Sequence, residues 1–157
     1  MGNAAIPITQ LSADDFRIAL ACARYNEDIV TALLAGARSA WAARGGDEAA
    51  LRIEQVPGAF ELPLAARAFA RSGTVDAVVA LGCVIRGDTP HFEYVAGECA
   101  RGLQRVMLDT GIPVSFGVLT VDTRAQALER AGPGALNKGA EALETALAMA
   151  SLLRRLR

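Results

Sequence analysis

His91 is the only histidine among 157 residues, and it stands in the segment Arg86-Gly87-Asp88-Thr89-Pro90-His91-Phe92-Glu93. Its imidazole is the one side chain whose unperturbed pKa lies near neutrality, so it is the natural proton carrier. The residues before it suit an anion. Asp88 or Thr89 can cap a helix start, Pro90 fits the first helical position, and Gly87 permits a backbone angle closed to other residues. Free N–H groups at such a start attract negative charge. The pattern points to acid–base chemistry beside a bound anion. Each residue alone has a plainer role: Asp88 and Thr89 as caps, His91 as a solvated helix residue.

Four further residues could join it. Tyr25 ends a long apolar run and can stack on a flat heterocycle, although a lone aromatic is more often packing. Glu61, after Phe60, can accept hydrogen bonds from ligand hydroxyls, or simply complement a helix dipole. Arg130, near a helix end, and Lys138, in Asn137-Lys138-Gly139, are ordinary surface cations when taken singly. Their joint occurrence at strand ends in one short chain favours a pocket.

The elements that must position them alternate. Phe16 to Ala23 is almost wholly apolar, as for a central parallel strand. Glu27 and Asp28 open a helix with Ile29, Leu33, Ala37 and Trp41 on one face, stopped at Arg44-Gly45-Gly46-Asp47. Leu51 to Val56 reads as a strand, and Pro57-Gly58-Ala59-Phe60-Glu61-Leu62-Pro63 as a rigid strand-to-helix turn. A short helix carries Leu62, Ala66 and Phe69. A third strand, Val75 to Ile85, leads into the His91 segment, whose helix presents Val95, Cys99, Leu103 and Val106. Val114 to Val121 is a fourth strand; Asp122 and Thr123 cap a helix through Arg130, and Asn137 to Leu156 forms the last. Strand–helix alternation predicts an α/β fold with a parallel sheet and helices on both faces. Ligands of such sheets sit beyond the carboxyl ends of the strands, where every chemically interesting turn of this chain falls.

Composition excludes several classes. Sixteen Lys and Arg against 17 acids leave a net charge of -1, with no basic face for nucleic acid. Three cysteines (Cys22, Cys83 and Cys99) form no CxxC, and one histidine leaves no zinc set, so no metal is expected. No GxGxxG follows the first strand and no P-loop motif occurs. No apolar run approaches the roughly 20 residues that cross a bilayer. The chain reads as a cytoplasmic protein that binds neither membrane nor nucleic acid. Counting Gly and omitting Tyr, apolar residues make up about 60% against about 45–50% in average domains, which predicts subunit contacts. Residues 1–15, with Ile6-Pro7-Ile8, read as a tail or as an edge strand on a neighbouring subunit, and 16–157 as one domain.

Six motifs then carry a family resemblance: Ala23-Arg24-Tyr25-Asn26, Pro57 to Pro63, Gly82 to Val95, Phe116-Gly117-Val118-Leu119-Thr120, Glu129-Arg130-Ala131-Gly132 and Asn137 to Ala142. In this order the chain resembles the lumazine synthase family from Phe16 to its end. The resemblance implies a flavodoxin-like three-layer sandwich with a four-stranded parallel sheet, assembled as pentamers with sites between adjacent subunits. It implies condensation of 5-amino-6-(D-ribitylamino)uracil with 3,4-dihydroxy-2-butanone 4-phosphate in riboflavin biosynthesis, without a cofactor. By the same resemblance Tyr25 stacks on the pyrimidine. Ala59, Phe60 and Glu61 meet the ribityl chain. Cys83, Val84 and Ile85 line the pyrimidine, the last two through backbone groups, and Lys138 lies at its carbonyl edge. Asp88, Thr89 and Arg130 hold phosphate, His91 carries protons, and Phe116 comes from the neighbouring subunit. Riboflavin synthase is implied as a partner. The compact Gly132-Pro133-Gly134-Ala135-Leu136 connection favours a sixty-subunit shell, while Pro133 and Leu136 leave a free pentamer or decamer open.

Overall fold

The computed structural model describes residues 11–157. Four strands, β1 (Ile18–Ala23), β2 (Leu51–Val56), β3 (Ala77–Ile85) and β4 (Val114–Val121), form one parallel sheet in the order β2-β1-β3-β4. The helices are α1 (Glu27–Ala43), α2 (Leu62–Arg71), α3 (His91–Thr110), α4 (Arg124–Ala131) and α5 (Lys138–Leu156). On one face of the sheet Ile29, Leu33 and Trp41 of α1 pack with Ala127 and Ala131 of α4 and Leu143 and Leu147 of α5. On the other, Leu62, Ala66 and Phe69 of α2 pack with Cys99, Leu103 and Val106 of α3. The result is the expected three-layer α/β sandwich.

All six residues of β1 are buried, because this strand has a neighbour on each edge and helices on each face. Edge strand β2 keeps only half-buried and exposed positions. Two predicted strands start later than their apolar runs. Arg17 donates its N–H to Asp76 Oδ2 at 2.7 Å, and Asp76 donates its own to Arg17 O at 2.7 Å. That side-chain bond takes the place of the ladder, so pairing starts at Ile18↔Ala77. The Ile6-Pro7-Ile8 segment lies outside the described residues.

The helix ends follow local chemistry. Thr123 and Gln126 form a reciprocal capping box on α4. Gly111, at φ 69°, closes α3 in the left-handed region that glycine tolerates. Asn137 is the hub of the α5 start. It is 2% exposed, its Oδ1 accepts from Gly139 and Ala140 N–H, and its amide reaches the carbonyls of Ala32, Ala131 and Gly132. A Cβ on Gly139 would lie 1.9 Å from Leu33 O, so only glycine lets α5 cross α1 there. In Asn137-Lys138-Gly139 the flanking residues therefore hold two helices together and leave Lys138 exposed.

Candidate active site

Because the strands are parallel, the loops after β1, β2 and β3 share one edge of the sheet. The order reverses between β1 and β3, which makes the space beyond their ends the crevice where α/β sheets bind ligands.

The loop after β1 is hung from both neighbouring strands. Arg24 N–H donates to Val56 O at 2.9 Å, Tyr25 N–H to Pro57 O at 3.2 Å, and Asn26 Nδ2 to Cys83 O at 2.9 Å. Asn26 sits at φ 57°, ψ 49°, and its carbonyl accepts from Ile29 and Val30 N–H to start α1. Tyr25 between these anchors is 74% exposed. Its place is set by backbone, not by packing of its ring.

The loop after β2 ends in a 3-10 turn, Ala59–Glu61, that packs against α3. Ala59 is buried, so it offers a ligand only backbone; Phe60 and Glu61 are exposed. A Cβ on Gly58 would lie 3.3 Å from Glu61 Oε2, so the carboxylate folds back over its own turn.

The loop after β3 carries the largest share of the candidates. Arg86 N–H donates to Val121 O, which directs the backbone groups of residue 86 toward β4. By the alternation of a strand, Val84 points its groups the same way, and Cys83 and Ile85 point theirs toward β1. β1 pairs only as far as Cys22↔Leu81, so Cys83 and Ile85 lie beyond it. Asn26 takes the Cys83 carbonyl. The N–H and C=O of Ile85 face the crevice, a donor and an acceptor matched to the edge of a heterocyclic amide. Val84, in register with Thr120 of β4, has a half-buried side chain.

Past Ile85, the Arg86 guanidinium bonds Glu93 and, at 2.9 Å, Asp122, and lies 4.3 Å from the Phe92 ring centroid. Its bond to Glu93 holds that carboxyl below the usual range, and both acids firm the guanidinium's charge. Arg86 is thus spoken for by two carboxylates. It clamps the loop to the first turn of α3 and to the start of α4.

Asp88, Thr89 and His91 are all exposed within this clamped loop. The helix begins at His91, one residue later than the sequence suggests, with Pro90 preceding it and no side-chain cap at that position. Thr89 Oγ1 accepts only a long 3.4 Å contact from His91 N–H. Gly87 is not in the left-handed region, contrary to expectation, and a Cβ there would meet nothing within 4 Å. The fold itself makes no demand for glycine at position 87.

Cys83 presents its side chain and its backbone to different surroundings. Its side chain is 3% exposed within the core, and burial pushes the thiol up to about 11, with smaller opposing effects of Arg124 and Asp28. Its carbonyl is engaged by the Asn26 amide at 2.9 Å.

The remaining candidates gather elsewhere. Phe116, Arg130 and Lys138 line a groove of about 420 Å³ along β4 and α5. Arg130 Nη1 donates to Gln126 O at 3.0 Å, Lys138 Nζ lies 2.6 Å from Glu141 Oε2, and the Phe116 ring is 46% exposed. Ser115 Oγ, also on this wall, is buried without a hydrogen-bond partner among the described residues. None of Tyr25, Glu61 or His91 lines this groove. One chain therefore presents two separate sets, one at the strand ends and one along β4. No cluster of three His, Cys, Asp or Glu capable of holding a metal occurs among the described residues, and no helix there is long and apolar enough to cross a membrane.

Sequence reading gives Asn26 and Arg86 no role. The available signals were an asparagine directly after a strand-end aromatic, where a left-handed residue suits a sharp exit, and an arginine seven residues before Glu93.

Comparison with known proteins supplies the rest. The family model described as 6,7-dimethyl-8-ribityllumazine synthase matches residues 15–154. Proteins named 6,7-dimethyl-8-ribityllumazine synthase from two strains of Thermus thermophilus are each 55% identical over 143 residues, covering 91% of this chain and 91% of their own.

Proposed function

From the premise that this chain belongs to the 6,7-dimethyl-8-ribityllumazine synthase family, we propose that its active site is assembled from two copies of the chain. The activity is a transferase reaction of riboflavin biosynthesis. It condenses 5-amino-6-(D-ribitylamino)uracil with 3,4-dihydroxy-2-butanone 4-phosphate to 6,7-dimethyl-8-ribityllumazine, phosphate and water. The observation that carries the two-copy reading is the division of the candidates between the strand-end crevice and the β4–α5 groove. A second protomer brings its groove to the first one's crevice.

In the crevice Tyr25 stacks on the pyrimidine and the Ile85 backbone reads its amide edge. The turn Ala59-Phe60-Glu61 meets the ribityl chain, with the Glu61 carboxylate accepting from its hydroxyls. The start of α3 with Asp88 and Thr89 cradles the phosphate, and the other copy's Arg130 grips two of its oxygens. That Arg86 is already engaged by two carboxylates supports Arg130 in this role. Phe116 closes the pocket wall and Lys138 approaches the pyrimidine carbonyl edge.

The chemistry follows from that placement. The 5-amino group attacks the ketone and loses water to give an imine. Removal of a proton from the adjacent carbon expels phosphate. The resulting enol becomes a ketone, and the ribityl-bearing nitrogen closes the second ring with loss of another water. His91 moves the protons, a contribution worth typically about 10²–10⁴-fold. Holding two substrates in register contributes up to about 7–11 kcal/mol.

The domain runs over 16–157, and the assembly is built from pentamers, extended to a sixty-subunit shell by the compact 132–136 connection. Three unpaired, buried thiols suit a reducing cytoplasm, where riboflavin synthase consumes the product. Mixing the purified protein with both substrates tests the reaction by lumazine absorbance, and a solution mass tests the assembly. Product forms in proportion to enzyme; a protein that binds the lumazine yet makes none is a flavin-type carrier on the same fold. A monomer with full activity overturns the two-copy site.

A further inference from the structure

Among the described residues the Tyr25 ring is left 74% exposed, yet a stacking residue has to be held. The geometry points to Asn26 as the positioning residue of the crevice: its side chain stands in for a missing stretch of β1 and thereby fixes both Tyr25 and the Ile85 reading edge. This inference deepens the two-substrate reading above and rests on it for the substrate concerned.

Three observations converge on Asn26. First, β3 outruns β1. Pairing between them ends at Cys22↔Leu81, whereas β3 continues beside β4 to Ile85↔Val121. The Cys83 carbonyl, turned toward β1, would have no acceptor role to fill there. Buried carbonyls are nearly always paired. Asn26 Nδ2 supplies the donor at 2.9 Å that a further β1 residue would have supplied. Second, that amide reaches Cys83 from a backbone at φ 57°, ψ 49°, which turns the chain sharply out of the sheet. Asparagine is one of the few side chains that adopts this region readily. Third, the residue that makes the bond is covalently next to Tyr25 and its acceptor is two residues from Ile85. A single hydrogen bond thus spans the switch point and couples the stacking ring to the edge-reading amide.

An ordinary continuation of β1 would have closed the crevice with backbone. Asn26 pairs one carbonyl and then leaves, so the next outward-facing groups, those of Ile85, stay open to a ligand. The device is a strand end that stops one hydrogen bond short of sealing the site.

The test separates the amide from the backbone angle. Asn26→Gly keeps the left-handed turn and deletes the donor; Asn26→Asp keeps the shape and sets a carboxylate against the Cys83 carbonyl. Both variants should raise KM for the aminouracil about tenfold or more, Asp at least as much as Gly, while KM for the phosphorylated ketone stays within about twofold. Amide hydrogen exchange over 24–26 and 84–86 should rise in both, with exchange in the centre of β3 unchanged. A residue that served stability alone would lower Tm and leave the ratio of the two KM values untouched; that result overturns the inference. Unchanged exchange over 24–26 and 84–86 overturns it as well, and needs no catalysis to be read. An inactive wild type would instead sink the assigned reaction, leaving the exchange measurement to decide the latch.

Discussion

The strand-end crevice and the β4–α5 groove are built by opposite means. In the crevice, backbone hydrogen bonds with the Asn26 and Arg86 side chains fix three loops, while the side chains that would meet a ligand are bare: Tyr25 is 74% exposed and Phe60 58%. In the groove, side chains from three elements line the wall, and cations are tethered locally, Arg130 to Gln126 O and Lys138 to Glu141. A crevice with fixed loops and uncovered rings is half a site. The groove adds cations and a buried Ser115 hydroxyl without a partner among the described residues. In the proposed two-copy site the second half completes the first across a subunit boundary.

The sharpest way to break this comparison is complementation. Arg130→Ala should cost about 10³-fold in kcat/KM for the phosphorylated ketone, since losing a charge-assisted partner of a buried anion costs roughly 2–5 kcal/mol. His91→Ala should slow kcat by about 10²-fold, the low end of general acid–base contributions, without abolishing turnover. Co-assembled from equal parts of the two variants, the oligomer should recover about a quarter of wild-type activity, because one interface type in four then pairs an intact crevice with an intact groove under random mixing. Recovery no greater than the two variants' own average places both residues in one protomer's site.

These halves were unequally legible in the sequence. The crevice announces itself through backbone punctuation: Pro57-Gly58, Gly87 and Pro90 mark chain reversals after strand-like segments, and parallel strands bring such reversals to one edge. The groove has no such grammar. Arg130 and Lys138 look like any surface cation, and only their shared wall with Phe116 distinguishes them; six motifs in family order supplied that link before the fold did. Cys83 is hard to read from sequence because a strand residue's side chain and carbonyl face different surroundings, the side chain the core and the carbonyl the Asn26 amide. Strand starts at Phe16 and Val75 misled because the Arg17–Asp76 bond is a pairing of side chain with backbone that hydropathy does not register.

Within the crevice, Gly87 sharpens the comparison by separating fold from ligand. Its φ is ordinary and an added Cβ meets nothing within 4 Å, so Gly87→Ala should leave Tm within about 1–2 °C of wild type, the scale on which surface changes of a few tenths of a kcal/mol are felt. If the N–H groups of this loop cradle phosphate, a methyl there crowds the anion, and KM for the phosphorylated ketone should rise about tenfold with KM for the aminouracil unchanged. Equal rises in both would move the cradle away from this loop.

The smallest effect concerns the core beneath the crevice. Burial pushes the thiols of Cys22 and Cys83 up to about 11 and that of Cys99 to about 12, from an ordinary value of 9.0. Raised in the fold, these groups keep their protons where the unfolded chain has lost them, so the native state binds more protons in that interval and stability falls as pH rises. The contribution is whole below about pH 9 and fades between 9 and 11–12. Urea midpoints measured from pH 8 to 10.5 should decline in the wild type and decline less steeply in a Cys22→Ala/Cys83→Ala variant, which starts from a lower midpoint because cavities replace the sulfurs. Native Cys83 should also resist alkylation at pH 8, since neither a thiolate nor access is available. Alkylation at the rate of a free thiol would mean that the crevice floor opens in solution, and that its loops are held less tightly than their hydrogen bonds imply.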